Sequence, residues 1–172
     1  NCPSIHELQI NDIINDWVKS LIKQRMSFLN WHAKDQTRGG QSSSGENVGE
    51  KDLEVFNAQN DKLFLFEAFR LLSVNTNVIE EHINKLDGYN ADGCHTLIIM
   101  AYTHVNDFVA LCNNYQEILK TFDYKGFDKL TSLEEHSFDI LDTKSSKIKL
   151  LKEVRYQNNE AVVVYHFLLD FK

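Results

Sequence analysis

The chain has 172 residues, 42% of them hydrophobic, which is enough apolar material for one compact domain with a real core and no need of staples. Its formal net charge of -7 is spread along the chain, so neither nucleic acid nor an anionic membrane is an expected partner. No apolar run reaches the eighteen or so residues of a membrane span, and with one proline and seven glycines the chain looks too poor in turn formers for a many-stranded fold.

The chain opens at Asn1-Cys2-Pro3 with no methionine, which reads as a mature chain after signal cleavage, and no Asn-x-Ser/Thr sequon follows. Over 7–32, Ile10, Ile13, Ile14, Trp17, Val18, Leu21, Ile22, Phe28 and Leu29 recur at three- and four-residue steps and predict a long amphipathic helix. Periodicity stops over 34–52, where Arg38-Gly39-Gly40 and Ser42-Ser43-Ser44-Gly45 indicate a long loop. Leu53, Phe56, Leu63, Phe66, Phe69, Leu72, Ile79, Ile83 and Leu86 predict a second helix over 53–86 with a weak point around 73–77.

After the turn Asp87-Gly88-Tyr89-Asn90-Ala91-Asp92-Gly93 a third helix is expected over 94–120, built on Leu97, Ile98, Met100, Ala101, Val105, Phe108, Val109, Leu111 and Ile118. A second long link fills 122–143, and a fourth helix over 145–171 uses Ile148, Leu151, Val154, Ala161, Val162, Tyr165, Leu168 and Leu169. Val162-Val163-Val164-Tyr165 also reads as a strand, but an isolated strand has nothing to pair with. The expected fold is therefore all-α. The short link between the second and third helices forces them antiparallel, while the two long links allow parallel neighbours, giving an up-up-down-down four-helix bundle with two crossovers.

In that bundle the start of the first helix meets the end of the third, which places Cys2 beside Cys112 and predicts a disulfide between them, with Cys94 left at the far end. Three buried, reduced cysteines are the alternative. The cysteines match no zinc or redox spacing, and the seven histidines make no chelating pair. No phosphate loop, nucleophile elbow or paired-carboxylate signature occurs, so neither a catalytic centre nor a metal or other cofactor is expected. Lys147, Lys149, Lys152 and Arg155 make a basic patch that reads as a solvated helix face.

The segment Asp52-Leu53-Glu54-Val55-Phe56, followed by Asn60-Asp61-Lys62-Leu63, resembles the start of the second helix in interleukin-6-class cytokines, in the branch of cardiotrophin-like cytokine and ciliary neurotrophic factor. Shorter windows at Pro3-Ser4-Ile5, at Cys94 to Leu97 with Ala110-Leu111, and at Leu150-Leu151-Lys152-Glu153 fall in the same order. The resemblance implies a secreted, extracellular, non-enzymatic ligand that assembles class I cytokine receptor ectodomains: a shared signal-transducing chain and a leukaemia inhibitory factor receptor-like chain. It implies receptor contacts at Phe56, Leu141 and Lys144, the last two standing where the family carries Phe-x-x-Lys. Gln157 and Glu160 depart from the family's tryptophan and arginine in the fourth helix. The alternative function is a helical carrier holding an apolar ligand in its core.

Overall fold

A computed structural model describes residues 7–35, 53–90, 93–124, 126–127, 131–136 and 147–172. It is an α/β structure built on a mixed seven-stranded sheet, and it overturns both the all-α four-helix bundle and the membership of the interleukin-6 class that the resemblance implied. In chain order the elements are α1 (Glu7–Arg25), β1 (His32–Asp35), β2 (Leu53–Phe56), β3 (Lys62–Arg70), α2 (Thr76–Tyr89), β4 (Thr96–Thr103), α3 (Phe108–Thr121), β5 (Ser132–His136), β6 (Ile148–Gln157) and β7 (Glu160–Asp170). The strands lie in the order β1-β2-β3-β4-β7-β6-β5.

Three parallel strands make the centre. Leu65–Arg70 of β3 pair with Leu97–Tyr102 of β4, and Thr96–Thr103 of β4 pair with Val163–Asp170 of β7. Antiparallel strands flank them: β1 and β2 beside β3, and β6 and β5 beside β7. Central parallel strands are covered on both faces, so they read as near-continuous apolar runs rather than as alternation. That is the composition of Leu63-Phe64-Leu65-Phe66, Leu97-Ile98-Ile99-Met100 and Val162-Val163-Val164-Tyr165. A continuous run satisfies helical spacing as well as strand spacing, and this is how the second, third and fourth predicted helices arose.

Each correction has a local cause. The second predicted helix is β2, β3 and then α2, and its weak point at 73–77 is the real boundary, where Asn75 Oδ1 accepts from the backbone N–H groups of Asn77 at 3.1 Å and Val78 at 3.4 Å. The third is β4 followed by α3, whose first turn is capped by Asp107, accepting from Ala110 N at 2.8 Å. The fourth is the β6–β7 hairpin: Asn158 and Asn159 both adopt positive φ, 53° and 67°, as a two-residue turn matching the twist of its strands requires. Val162–Tyr165 is thus a strand after all, with β4 on one side and β6 on the other. Of the first predicted helix, α1 survives, and its last residues turn into β1.

Both crossover helices pack on one face. Ile79, Ile83 and Leu86 of α2, with Phe108, Leu111, Tyr115 and Leu119 of α3, bury against Leu65, Phe69, Leu97, Ile99, Val164 and Leu168. On the opposite face Ile10, Ile14 and Val18 of α1 meet Leu53, Phe66, Ala68, Ile98, Met100 and Tyr102 in a smaller cluster. The expected Cys2–Cys112 disulfide rested on the bundle topology and is corrected with it. Cys112 is a thiol on α3 within the larger core, Cys94 is a buried thiol just before β4, and Cys2 lies outside the described residues.

Candidate functional site

The predicted receptor contacts do not come together as a described surface. Phe56 ends β2 and is 9% exposed, stacked on His32 with ring centroids 5.5 Å apart and with Lys34 Nζ 4.2 Å from its ring centre. Leu141 and Lys144 lie outside the described residues. The basic patch is dispersed, because β6 is a strand: Arg155 turns inward and is buried, while Lys147 is exposed.

Besides the buried Glu54–Lys62 pair of β2 and β3, with Nζ 2.6 Å from Oε1, two groups of buried ionisable side chains stand on the helical face of the sheet, and sequence reasoning found neither. The first joins β6, β7 and α3. Glu153 Oε1 accepts from His166 Nε2 at 2.9 Å and from the Tyr124 hydroxyl, and Arg155 Nε donates to Glu153 Oε2 at 3.2 Å. His166 Nδ1 bonds the Tyr115 hydroxyl at 2.9 Å, and the Arg155 guanidinium donates to the Leu119 carbonyl at 3.1 Å while lying 3.6 Å from the Tyr124 ring centre. Burial alone would raise the Glu153 pKa. The His166 hydrogen bond and charge, with the Arg155 charge, outweigh it and hold the carboxyl below its ordinary value. Burial, reinforced by the Glu153 charge, pushes the Tyr115 and Tyr124 hydroxyls well up. Glu153, Arg155, His166, Tyr115 and Tyr124 are all 3% exposed or less, so the network is closed to any substrate and serves to lock α3 onto the sheet.

The second group reaches a surface. Glu67 projects from β3 onto the helical face, and His82, two turns into α2, crosses above it, its Nδ1 2.8 Å from Glu67 Oε1. The imidazole is clamped flat on Phe69, ring centroids 4.1 Å apart and planes within 4°. Both residues are buried, yet His82 lines a pocket of about 400 Å³ at the carboxyl end of β3, with Arg70, Leu71, Leu72, Ser73, Asn75, Val78 and Glu81 as the other walls. The strand, the Leu71–Asn75 link and the first turns of α2 build it together. Crevices outside the carboxyl ends of parallel strands are the usual ligand sites of open α/β sheets. Here α2 and α3 share one face, so the cleft forms between strand end and helix start rather than where helices change sides.

A neutral imidazole oriented by a buried, ionised carboxylate has a fixed tautomer: Nδ1 carries the proton donated to Glu67 and Nε2 carries the lone pair. Arg70, the last residue of β3, stands at the rim of the cleft and carries a guanidinium with five donors. The apolar walls Leu71, Leu72 and Val78 suit a short hydrocarbon portion. Glu67 and His82 are fifteen residues apart, and only the β3–α2 crossover joins them.

Comparison with protein-family models, curated proteins and solved structures finds no match to this chain. What fold and site define is a class, an α/β protein with a mixed seven-stranded sheet and a histidine–carboxylate pair at a polar cleft.

Proposed function

We propose that this chain binds a small organic anion in the cleft at the end of β3, with Arg70 as counter-charge and His82 as the group that exchanges a hydrogen bond or proton with it. The observation that carries the reading is the Glu67–His82 pair at 2.8 Å, a buried polar couple built into the wall of an open pocket rather than sealed in the core. Buried, carboxylate-oriented histidines beside a cleft are where proton-handling groups concentrate. The cytokine role argued from the resemblance loses that argument with the bundle. The carrier alternative stands nearer, although this site mixes polar with apolar walls and lies at the sheet's end instead of inside a helical core.

The test is titration of the folded protein with inorganic phosphate and with a series from acetate to succinate, followed through the His82 ring and Arg70 side-chain resonances. Binding should perturb both, and Arg70→Ala should weaken it at least about tenfold, the loss of one charge-assisted contact. Glu81→Gln, removing a negative charge from the rim, should tighten it. If none of these anions moves the His82 signals, or Arg70→Ala binds as well as the unaltered chain, the reading fails.

A further inference from the structure

The imidazole of His82 lies on the Phe69 ring with centroids 4.1 Å apart and planes within 4°, closer and more nearly face to face than two neutral rings prefer. The like quadrupoles of neutral rings repel in that arrangement, and such pairs settle offset or edge-on with centroids about 4.5–7 Å apart. Phe122 with Tyr124 and Tyr124 with Phe127, in the same core, are edge-on at 5.0 and 5.7 Å. A cation over a ring face is attracted instead, because the face carries negative potential.

Glu67 supplies a second reason for a charged His82. Its side chain is buried, and Oε1 stands 2.8 Å from His82 Nδ1. An ionised carboxylate inside the core calls for a facing cation, and an imidazolium donating from Nδ1 meets that need. Around the pair, β4 offers this face Leu97, Ile99 and Ala101, none of them ionisable, and α3 offers Cys112 and Tyr115, both neutral at physiological pH. On the solvent side Arg70 opposes a positive His82, as does Lys85, which pairs with Glu81 at 3.6 Å, while Glu81 favours it. These three stand at half-buried or exposed positions where water screens them. Glu67 and Phe69 act from the dry side and dominate.

We infer that Phe69 and Glu67 hold His82 as an imidazolium at neutral pH, so that it is a second cation beside Arg70 and the cleft's affinity for anions is set by pH. The pH control rests on the anion reading, whereas the charge of the ring belongs to the unliganded protein. The proton that comes and goes is the one on Nε2, since on deprotonation Nδ1 keeps its proton on Glu67. An anion in the cleft and the Nε2 proton favour each other, so affinity is highest below the His82 midpoint and falls as the pH rises through it. Phe69 acts only through the imidazole it underlies and is a positioning residue.

Ring resonances of His82, followed against pH in the full chain without ligand, test the charge. The midpoint should lie above the ordinary histidine value of about 6.5. Glu67→Gln should lower it by about one pH unit or more. A trifluorinated phenylalanine at position 69 keeps the ring's shape but cancels most of the negative potential on its face, and should lower the midpoint by about half a pH unit with an unchanged far-UV spectrum. A ring that only fills the core would leave the midpoint where it was. Succinate titrated on either side of the midpoint tests the coupling: binding should be at least about fivefold weaker above it, and saturating succinate should raise the midpoint. A midpoint at or below the ordinary value, or one indifferent to fluorination, overturns the inference whether or not anions bind. Succinate binding equally well on both sides overturns it and leaves the anion reading standing; no binding on either side overturns the pH control and the anion reading together.

Discussion

Glu153 is 0% exposed and yet ionises more readily than a carboxyl in water, because His166, Arg155 and Tyr124 converge on its two oxygens. Such a network is stable only when complete, since removing one partner leaves the others' charges buried and uncompensated. Glu153→Gln should therefore destabilise the fold by about 3–5 kcal/mol, read as a lower urea midpoint. The pH dependence follows from the direction of the shift. Because the folded pKa lies below the unfolded one, the stabilisation is complete above the ordinary carboxylate value of 4.5 and is lost as the pH falls from there through the lower folded value. Unfolding midpoints measured between neutral pH and acid should fall in that window for the unaltered chain, and Glu153→Gln should show a shallower fall. None of these partners was recognisable beforehand: Glu153, Arg155 and His166 come from two strands, and Tyr115 and Tyr124 from α3 and just past it, so only pairing and packing bring them together.

At the scale of the element, the hairpin between β6 and β7 shows where local chemistry was legible and passed over. Asn158-Asn159 precedes a run rich in β-branched and aromatic residues, Val162-Val163-Val164-Tyr165, and asparagine tolerates the left-handed backbone that such a two-residue turn needs at both positions. Asn57 carries the same information for β2–β3. Its side-chain oxygen accepts from the N–H groups of Gln59 at 2.9 Å and Asp61 at 2.8 Å, and Asn60 has φ 64°. The rarity of glycine and proline concealed both turns, because asparagine does the work at each. Asn159→Gly should keep or raise stability, whereas Asn158→Val should lower it by about 1–2 kcal/mol, the strain of a β-branched residue at positive φ. Thermal unfolding of the two variants checks this, and equal losses in both would mean that the turn geometry is not what sets the hairpin.

For the whole molecule, β4 and β7 hold the centre of the sheet, each paired on both sides and packed against helices, while β1 and β5 lie at its edges. Amide exchange should therefore be slowest in 97–101 and 163–168 and fastest in β1 and β5, because opening a central strand breaks two ladders and exposes the core. A four-helix bundle would instead protect α1 throughout its length. If 7–25 proves as protected as the central strands, the order of stability inferred from this sheet is wrong.

The sequence by itself determined which residues are apolar, that α1 is an amphipathic helix, that a boundary falls at 73–77, and that no run is long enough to span a membrane. Those are properties of local spacing, and local spacing is what a single chain displays. Tertiary structure decided everything that depends on a partner. Leu97-Ile98-Ile99-Met100 and Val162-Val163-Val164-Tyr165 become strands because each finds the other, and their uninterrupted apolarity, compatible with a helix, reflects burial on both faces of a parallel pair. The Glu67–His82 pair exists only because the right length of chain returns α2 across β3, and the same crossover opens the cleft beside it. A period can be read along one chain; pairing is a relation between two segments, and it is set by the free energy of bringing them together.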